Sequence, residues 1–290
     1  MQKGGKMVRE FKLINEKGQE YSLMDIENYC LLTDPSGLGY SYSTEYEQLG
    51  NSFISNLRKI EQGQINGTAN FLKYDNYKNL VNFIEWSKKI QFSYKIPFEN
   101  GVKEYLKDVQ IQLLAKTEKN TNGVISEQIV FDCLSLWYEE KSTIFKIEPQ
   151  NDELRWDIKW DSRFVRKDSQ SLSFINEGHV AAPILVSMDG SLSNPKIKLY
   201  VEGELYQTVE FTAAIEAYEK LLYGTKEDDF YIYRQKTDGT LESLKKLTVI
   251  DFDNDNVIRI PVNQSCKIAL TADNSVTNAQ ITILVFYKVI

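Results

Sequence analysis

The side chains that usually carry catalysis are few and scattered in this sequence. His179 is the only histidine, so neither a Ser-His-Asp triad nor a site with several histidine ligands can be built without it. It follows the turn-like residues 176–178 and is interpreted as a solvated loop side chain. The cysteines Cys30, Cys133 and Cys266 are far apart and odd in number, which argues against a disulfide framework or a thiolate metal site. We predict no catalytic, cofactor-binding or metal-binding residue.

Carboxylate side chains offer two further candidate sites. Asp251–Asn256 imitates the start of a calcium loop, but Val262 stands where the bidentate glutamate belongs and the usual glycine is missing. A solvated acidic loop is therefore preferred. Glu139-Glu140 and Asp228-Asp229 are adjacent in sequence, and neighbours on a strand point to opposite faces. They cannot supply the two carboxylates about 5–10 Å apart that a glycan hydrolase needs. Since phosphate-binding glycine motifs are also absent from the sequence, the chain is predicted not to be an enzyme.

Two tryptophans are candidate glycan contacts. Trp156 and Trp160 lie four residues apart in an alternating segment, so their side chains are predicted to share a face of a strand. Such pairs stack on sugar rings in carbohydrate-binding modules, but more often they belong to a core or an interface. A carbohydrate-binding β-sandwich protein is therefore the alternative function, and exposure of both indoles would favour it.

The composition limits the remaining function classes. Hydrophobic residues make up 42% and aromatic residues 12% of 290 residues, which favours one large or two smaller β-rich domains. The net charge of −7, without a basic block, argues against tight binding to nucleic-acid phosphates. No apolar run approaches the length of a membrane span, and Met1–Met7 lacks a secretory core. Met7 could be the natural start, with Met1–Lys6 as an extension.

Turn signals between apolar or alternating runs predict a mainly β fold. Phe11–Leu23 is predicted to be a hairpin that turns at Glu16–Gly18. One helix is predicted where Asp75 caps an apolar stripe, and a second over Thr212–Gly224, where Ile215, Tyr218 and Leu222 share a helical face. The final segment, Ile281–Val289, is apolar on both faces and is predicted to be a central strand.

The predicted domain boundary lies near Lys141–Glu153. An apolar strand ends at Leu134–Trp137, and the polar stretch that follows contains Glu148-Pro149, which breaks regular structure. Residues 1–143 are predicted to form an N-terminal β-sandwich-like domain with one helix, and residues 150–290 a C-terminal β-sandwich with one helix.

An ordered series of weak motifs resembles the distal tail proteins of long, non-contractile-tailed bacteriophages. In the first domain the motifs are Gly37-Leu38-Gly39, Tyr46, Gly50, Phe53, Gly63–Ile65, Tyr74–Tyr77, Phe83-Ile84, Ile90–Tyr94 and Phe131–Tyr138. In the second they are Trp156-Asp157, Trp160-Asp161, Phe174–Gly178, Pro183, Gly190, Asn194–Ile197, Pro261 and Ile268. The second series is similar to the galectin-like domain of that family.

The resemblance implies a structural, non-enzymatic subunit of a phage or prophage tail tip. It implies a hexameric ring that joins the tail tube protein to a tail-associated adhesion protein, with receptor-binding proteins as further candidate partners. Genomic DNA would pass through without specific binding, and no membrane would be involved. The ring would be assembled in the bacterial host cytoplasm and reside at the virion tail tip.

The ring-forming contacts are predicted to lie in residues 1–143. Tyr40, Tyr42 and Tyr46 alternate along a predicted strand, one face of which should pack on the domain's own sheet. Leu38, Tyr40 and Phe53 are the candidate subunit-interface residues, since aromatic side chains are enriched at interfaces. For the alternative function, the ligands would be host cell-wall glycans bound at Trp156 and Trp160.

Overall fold

The computed structural model describes residues 9–25, 30–98, 101–120, 122–147, 171–244, 248–249, 257–272 and 277–290. In these residues the chain is mainly β, as predicted. It divides into two compact units, of which unit 1 comprises Met1–Glu139 with Tyr287–Ile290, and unit 2 comprises Glu140–Phe286. Trp156, Trp160, residues 251–256 and residues 148–153 lie outside the described residues, so the predictions made for them stay predictions.

Unit 1 is built from strands and one helix. In chain order they are β1 (Glu10–Asn15), β2 (Glu20–Ser22), β3 (Met24–Asp25), β4 (Cys30–Ser36), β5 (Tyr42–Leu49), β6 (Ser52–Ile60), β7 (Gln64–Phe71), β8 (Ile90–Phe98), β9 (Gly101–Leu114), β10 (Ile125–Cys133) and β11 (Trp137–Ile147), which continues into unit 2. Helix α1 (Tyr74–Glu85) lies between β7 and β8. The predicted hairpin at Phe11–Leu23 is confirmed as the antiparallel pair β1–β2.

Eight strands of unit 1 form an antiparallel sheet in the order β2-β1-β8-β9-β10-β7-β4-β3. Leu23 joins the two ends of this sheet, because its N–H donates to Phe11 and its carbonyl accepts from Leu32. The sheet therefore curls around one core, in which Phe92 and Trp137 are fully buried.

Helix α1 covers this core with the apolar stripe that the sequence predicted. Leu80 is fully buried, and Tyr77 packs edge-on against Phe71, with 5.7 Å between ring centroids. The N-cap residue is Lys73 and not Asp75, which lies in the first turn. A carboxylate there still favours the helix because it faces the positive end of the helix dipole.

The strand that was expected to end at Leu134–Trp137 is interrupted. Strand β10 ends at Cys133, and β11 begins at Trp137. Both strands pair antiparallel with β9, through Cys133 opposite Val109 and Tyr138 opposite Leu106. The three intervening residues therefore form a short break along one edge of β9.

The described part of unit 2 contains two larger antiparallel sheets and a small two-stranded sheet. Its further strands are β12 (Ser171–Ile175), β13 (Ala182–Asp189), β14 (Leu192–Ser193), β15 (Lys196–Val201), β16 (Glu204–Phe211), β17 (Ala214–Ile215), β18 (Lys220–Lys226), β19 (Asp229–Gln235), β20 (Leu241–Ser243), β21 (Thr248–Val249), β22 (Arg259–Ile260), β23 (Ser265–Thr271) and β24 (Thr277–Tyr287). One sheet has the order β20-β19-β18-β13-β24 and the other β12-β23-β15-β16-β21. The inner faces of the two sheets meet where Phe211 contacts Tyr223, with 5.7 Å between ring centroids.

The final strand β24 is central, as predicted. On one side it pairs with β13, with Ile281 opposite Val186. On the other side the hydroxyls of Thr282 and Ser142 lie 2.7 Å apart. Neighbours on both edges, with buried apolar residues such as Ile283 and Leu284 on both faces, are typical of a central strand.

The predicted second helix over Thr212–Gly224 is wrong. The segment forms β17, a turn at residues 216–219 and the start of β18. Leu221 and Tyr223 point inward with the alternation of a strand. Gly224 ends no helix, because it lies in mid-strand under the ring of Tyr231. Pairing of β18 with both β13 and β19 outweighs the helical spacing of the apolar residues.

Candidate assembly interface

The hairpin formed by β5 and β6, called here the β5–β6 hairpin, stands apart from the sheet of unit 1. In the described part of the chain these two strands pair only with each other. An eight-residue strand extends about 25 Å at the usual rise per residue. Tyr42 and Thr44 are only partly buried and every other residue of β5 is exposed, so the prediction that one face of β5 packs on the domain's own sheet is wrong.

A tight turn holds the base of the hairpin against the core. Gly37 has φ +78°, and a Cβ atom at this position would lie 1.8 Å from the backbone oxygen of Gln64. The indole Nε1 of Trp137 donates a 2.8 Å hydrogen bond to the carbonyl of Leu38. The sequence Gly-Leu-Gly thus permits a close backbone approach that a side chain would block.

Polar and aromatic contacts stabilise the proximal part of the hairpin. The guanidinium carbon of Arg58 lies 3.7 Å from the ring centroid of Tyr42, and Tyr40 packs edge-on against the same ring. The N–H of Glu61 donates to the carbonyl of Ser41, and the Ser41 hydroxyl donates to the Glu61 carboxylate over 2.7 Å. These contacts position the distal part of the hairpin away from the sheet.

The distal part of the hairpin exposes apolar side chains on both faces. A register shift lies between Glu45 and Tyr46, and beyond it Gln48 pairs with Phe53 and Glu47 with Ile54. Cross-strand partners share a face, so Tyr46 and Phe53 lie on one face, and Leu49 and Ile54 on the other. The exposed fractions are 66% for Tyr46, 70% for Phe53 and 65% for Leu49.

Such a hairpin is incomplete as a structure in water. An isolated two-stranded hairpin is at best marginally stable, and unpaired strand edges invite pairing with another chain. Apolar side chains grouped on an exposed surface are typical of an interaction site. This geometry supports binding to a protein surface and offers no catalytic chemistry.

The structure places the three predicted interface residues in different environments. Phe53 lies in the exposed distal part of the hairpin, and Tyr40 is exposed near its base. Leu38 is only partly exposed and packs against the core of its own unit. No contact with a partner tests these assignments, so they stay predictions. Sequence reasoning missed the aliphatic face at Leu49 and Ile54, although the Leu-Gly-Asn turn between two β-prone runs could have indicated it.

A cleft of about 530 Å³ opens at the base of the β5–β6 hairpin. It is lined by Gly37, Gly39, Tyr40, Ser41, Gln62, Gly63, Gln64, Asn66 and Asp132. The Gln64 amide donates to Gln112 over 2.9 Å and to Asp132 over 2.8 Å. Asp132 is the only carboxylate in the lining, so the cleft holds no acid–base pair.

A charged network supports the opposite end of the sheet. Lys12 Nζ lies 2.6 Å from Glu20 Oε1 and 3.0 Å from Glu104 Oε1, and the Ser93 hydroxyl donates to Glu104 over 2.5 Å. Burial alone would lower the pKa of Lys12, but its hydrogen bonds to the two carboxylates outweigh burial and leave the pKa raised. Burial likewise would raise the pKa of Glu104, but the hydrogen bonds from Ser93 and Lys12 leave it lowered. The network links β2, β1, β8 and β9.

The described residues form no catalytic or metal site around the other candidates from the sequence. His179 is exposed in a bend, and its N–H donates to the carbonyl of Phe286. In the described residues, no group of three or more His, Cys, Asp or Glu side chains could hold a metal ion. No helix in that part of the chain combines the length and the apolar character that crossing a membrane requires.

Comparisons with known proteins agree with this geometry. Residues 10–134 match the family described as distal tail protein, N-terminal domain. The chain is 30% identical over 152 residues to the distal tail protein of Lactococcus phage SK1, a match that covers 49% of this chain and half of that relative's length.

Two solved structures share the fold. The phage P2 baseplate in its activated conformation with Ca contains a chain with TM-score 0.67 and 18% identity, covering 98% of this chain and 100% of the other. The Dit protein (gp 19.1) of phage SPP1, described as a hub adsorption apparatus of phages that infect Gram-positive bacteria, has TM-score 0.53 and 9% identity, covering 94% and 98%. Residues 10–134 therefore match the distal tail protein family, to which the motifs of the first domain had pointed.

Proposed function

We propose that this chain is a structural subunit of a bacteriophage or prophage tail tip, and that its copies close into a hexameric ring. The single observation that carries the proposal is the β5–β6 hairpin, which exposes apolar side chains on both faces and whose outer strand edges pair with no other described strand. A second copy of the chain is the natural cover for a surface that the monomer leaves open.

The asymmetry of this contact is compatible with a ring. The hairpin must meet a different surface on its neighbour, because both faces and both edges of a narrow hairpin need cover. Contacts of this head-to-tail kind form either a closed ring or an open filament, depending on the rotation between subunits. Since the relatives are distal tail and baseplate proteins, we favour the closed ring.

The ring would be the hub between tail and host. One side would meet the tail tube protein and the other a tail-associated adhesion protein, with receptor-binding proteins as further candidate partners. Genomic DNA would pass through the ring, and the net charge of −7 would let phosphate slide past a wall that repels it. We place assembly in the bacterial host cytoplasm and the finished ring at the virion tail tip.

Unit 1 would carry the contacts between ring subunits, while unit 2 would fold without contacts to other copies. Because Tyr287–Ile290 belong to unit 1, cutting the chain near residue 149 would separate these residues from the rest of unit 1. The test therefore uses the full chain. Native mass spectrometry and light scattering would measure its mass alone and with the tail-tip partner.

The matched substitutions are Phe53→Glu in the hairpin and Leu205→Glu in unit 2, where Leu205 is 55% exposed. The wild type and Leu205→Glu are expected to form the ring, and Phe53→Glu to stay monomeric with unchanged thermal unfolding. A buried Phe contributes about 1.5–3 kcal/mol, and this loss recurs at every interface of a closed ring. The proposal fails if Phe53→Glu assembles as the wild type does, alone and with the partner.

A further inference from the structure

A lysine lies inside the apolar core of unit 1. Lys107 occupies the core-facing side of β9 between Tyr105 and Val109, and its exposed fraction is 4%. Its cross-strand neighbour on β8 is the fully buried Phe92. An ammonium group in such a place costs several kcal/mol unless it is paired.

The contacts of Lys107 do not include a carboxylate. Its Nζ lies 4.7 Å from the centroid of the Trp137 ring, and the thiol of Cys133 is a second polar neighbour with which it interacts electrostatically. Burial lowers the pKa of Lys107, although the neighbouring thiol acts in the opposite direction. Among the described residues, the thiol and the face of the indole therefore take the place of a counter-ion for the ammonium group.

Strand register explains why the amine and the thiol meet. Cys133 is directly opposite Val109, which lies two residues after Lys107 on the same face of β9. Diagonal neighbours of this kind are within reach of a long side chain. Cys133 ends β10 with an exposed fraction of 6%.

The thiol lies directly beneath the cleft at the base of the β5–β6 hairpin. A Cβ atom built on Gly63 would have Cys133 Sγ at 3.8 Å as its only close neighbour, and Gly63 lines that cleft. In the proposal below, dioxygen would approach the sulfur from this side. The other two thiols, of Cys30 and Cys266, are buried more completely than that of Cys133.

We propose that Lys107 and Cys133 are joined by an N–O–S cross-link when the protein meets molecular oxygen. The ammonium first releases a proton. The neutral amine loses one N–H bond and the thiol its S–H bond, while one oxygen atom bridges nitrogen to sulfur. The second oxygen atom leaves as water with the two hydrogen atoms. Nitrogen and sulfur each give up two electrons, and dioxygen accepts all four.

The cross-link would stiffen the base of the hairpin. It ties β9 to the end of β10 beside Trp137, whose indole holds the carbonyl of Leu38. The protein would stay reduced in the host cytoplasm and become locked after release into oxygenated surroundings. This consequence rests on the proposed function, whereas the bond itself does not.

Mass spectrometry of the full chain tests the bond directly. The protein is purified under reducing conditions and then held in air-saturated buffer. The intact mass is expected to rise by one oxygen less two hydrogen atoms, and free thiols to fall from the three of the sequence by one. Trypsin should release residues 104–116 joined to residues 120–141, and an excess of dithiol should separate them.

Three variants serve as controls. Cys133→Ser and Lys107→Met should abolish the mass gain, whereas Cys30→Ser should retain it. The wild-type peptide map does not depend on the folding of any variant. The proposal is overturned if the wild-type mass is unchanged, or if oxygen is found on Cys133 alone with an unmodified Lys107.

Discussion

Replacing Gly37 with alanine should destabilise unit 1 far more than the same change at Gly50. Both glycines have positive φ angles, +78° and +64°, so alanine meets the same left-handed backbone penalty of about 1–2 kcal/mol at either position. At Gly50, the hairpin tip, nothing lies within 4 Å of the new Cβ. At Gly37 the new Cβ would lie 1.8 Å from the oxygen of Gln64.

The second penalty at Gly37 is a steric clash between the new Cβ and the backbone of Gln64. The turn must move by more than 1 Å to reach ordinary contact, which strains a backbone held by the Trp137 hydrogen bond. We therefore expect Gly37→Ala to lower the free energy of unfolding by about 3 kcal/mol or more. Gly50→Ala should lower it by about 1 kcal/mol.

Urea unfolding followed by circular dichroism measures both variants in the same buffer. The difference between them isolates the close approach, because the conformational penalty is common to both. Equal losses at the two positions would show that the turn relaxes freely and that contact with Gln64 does not require glycine at position 37. Gly39→Ala provides a baseline, since Gly39 lacks both a positive φ and close neighbours.

Three further predictions concern side chains of the same unit. Lys107→Met should raise the free energy of unfolding at neutral pH by about 1–3 kcal/mol, because it removes a buried charge; in urea titrations this gain should narrow as the pH rises through the lowered pKa of Lys107. Glu104 contributes stability that is fully present above its unfolded-state pKa and is lost as the pH falls through its lowered folded-state pKa. Glu104→Gln should therefore reduce the fall of the thermal unfolding midpoint at acidic pH. An unchanged fall would contradict the roles of Lys12 and Ser93. Trp137→Phe should cost about 1–3 kcal/mol in urea unfolding, since a carbonyl at the hairpin base loses its donor, and an unchanged midpoint would mean that the turn does not need this bond.

Local patterns predicted those elements whose own sequence determines them. The hairpin at Phe11–Leu23 follows from a turn between two alternating runs, and α1 from an apolar stripe that one core residue, Leu80, anchors. The central position of β24 was also predictable, because a strand that is apolar on both faces fits few other positions in a sheet. In each case the local preference and the tertiary environment agree.

The second helix failed because two periods coexist in one segment. Ile215, Tyr218 and Leu222 have helical spacing, while Leu221 and Tyr223 alternate as in a strand. The turn between them is fixed by contacts that are distant in sequence, such as the N–H of Gly190 donating to the carbonyl of Glu219. Sequence spacing contains no information about β13 and β19, which select the strand.

Only part of the candidate assembly interface at the β5–β6 hairpin could be predicted from the sequence, for a related reason. The alternation of Tyr40, Tyr42 and Tyr46 is the same pattern that a buried strand would show, and the sequence therefore favoured a strand packed on its own sheet. What distinguishes this hairpin is the absence of a neighbouring strand in the described part of the chain, together with a turn at Gly37 that the core holds through Trp137. Apolar residues outside the core contribute nothing to the stability of a monomer and expose it to aggregation. In the proposed ring a second chain would cover them, so the same residues that are exposed in the described monomer are those on which the proposed ring depends.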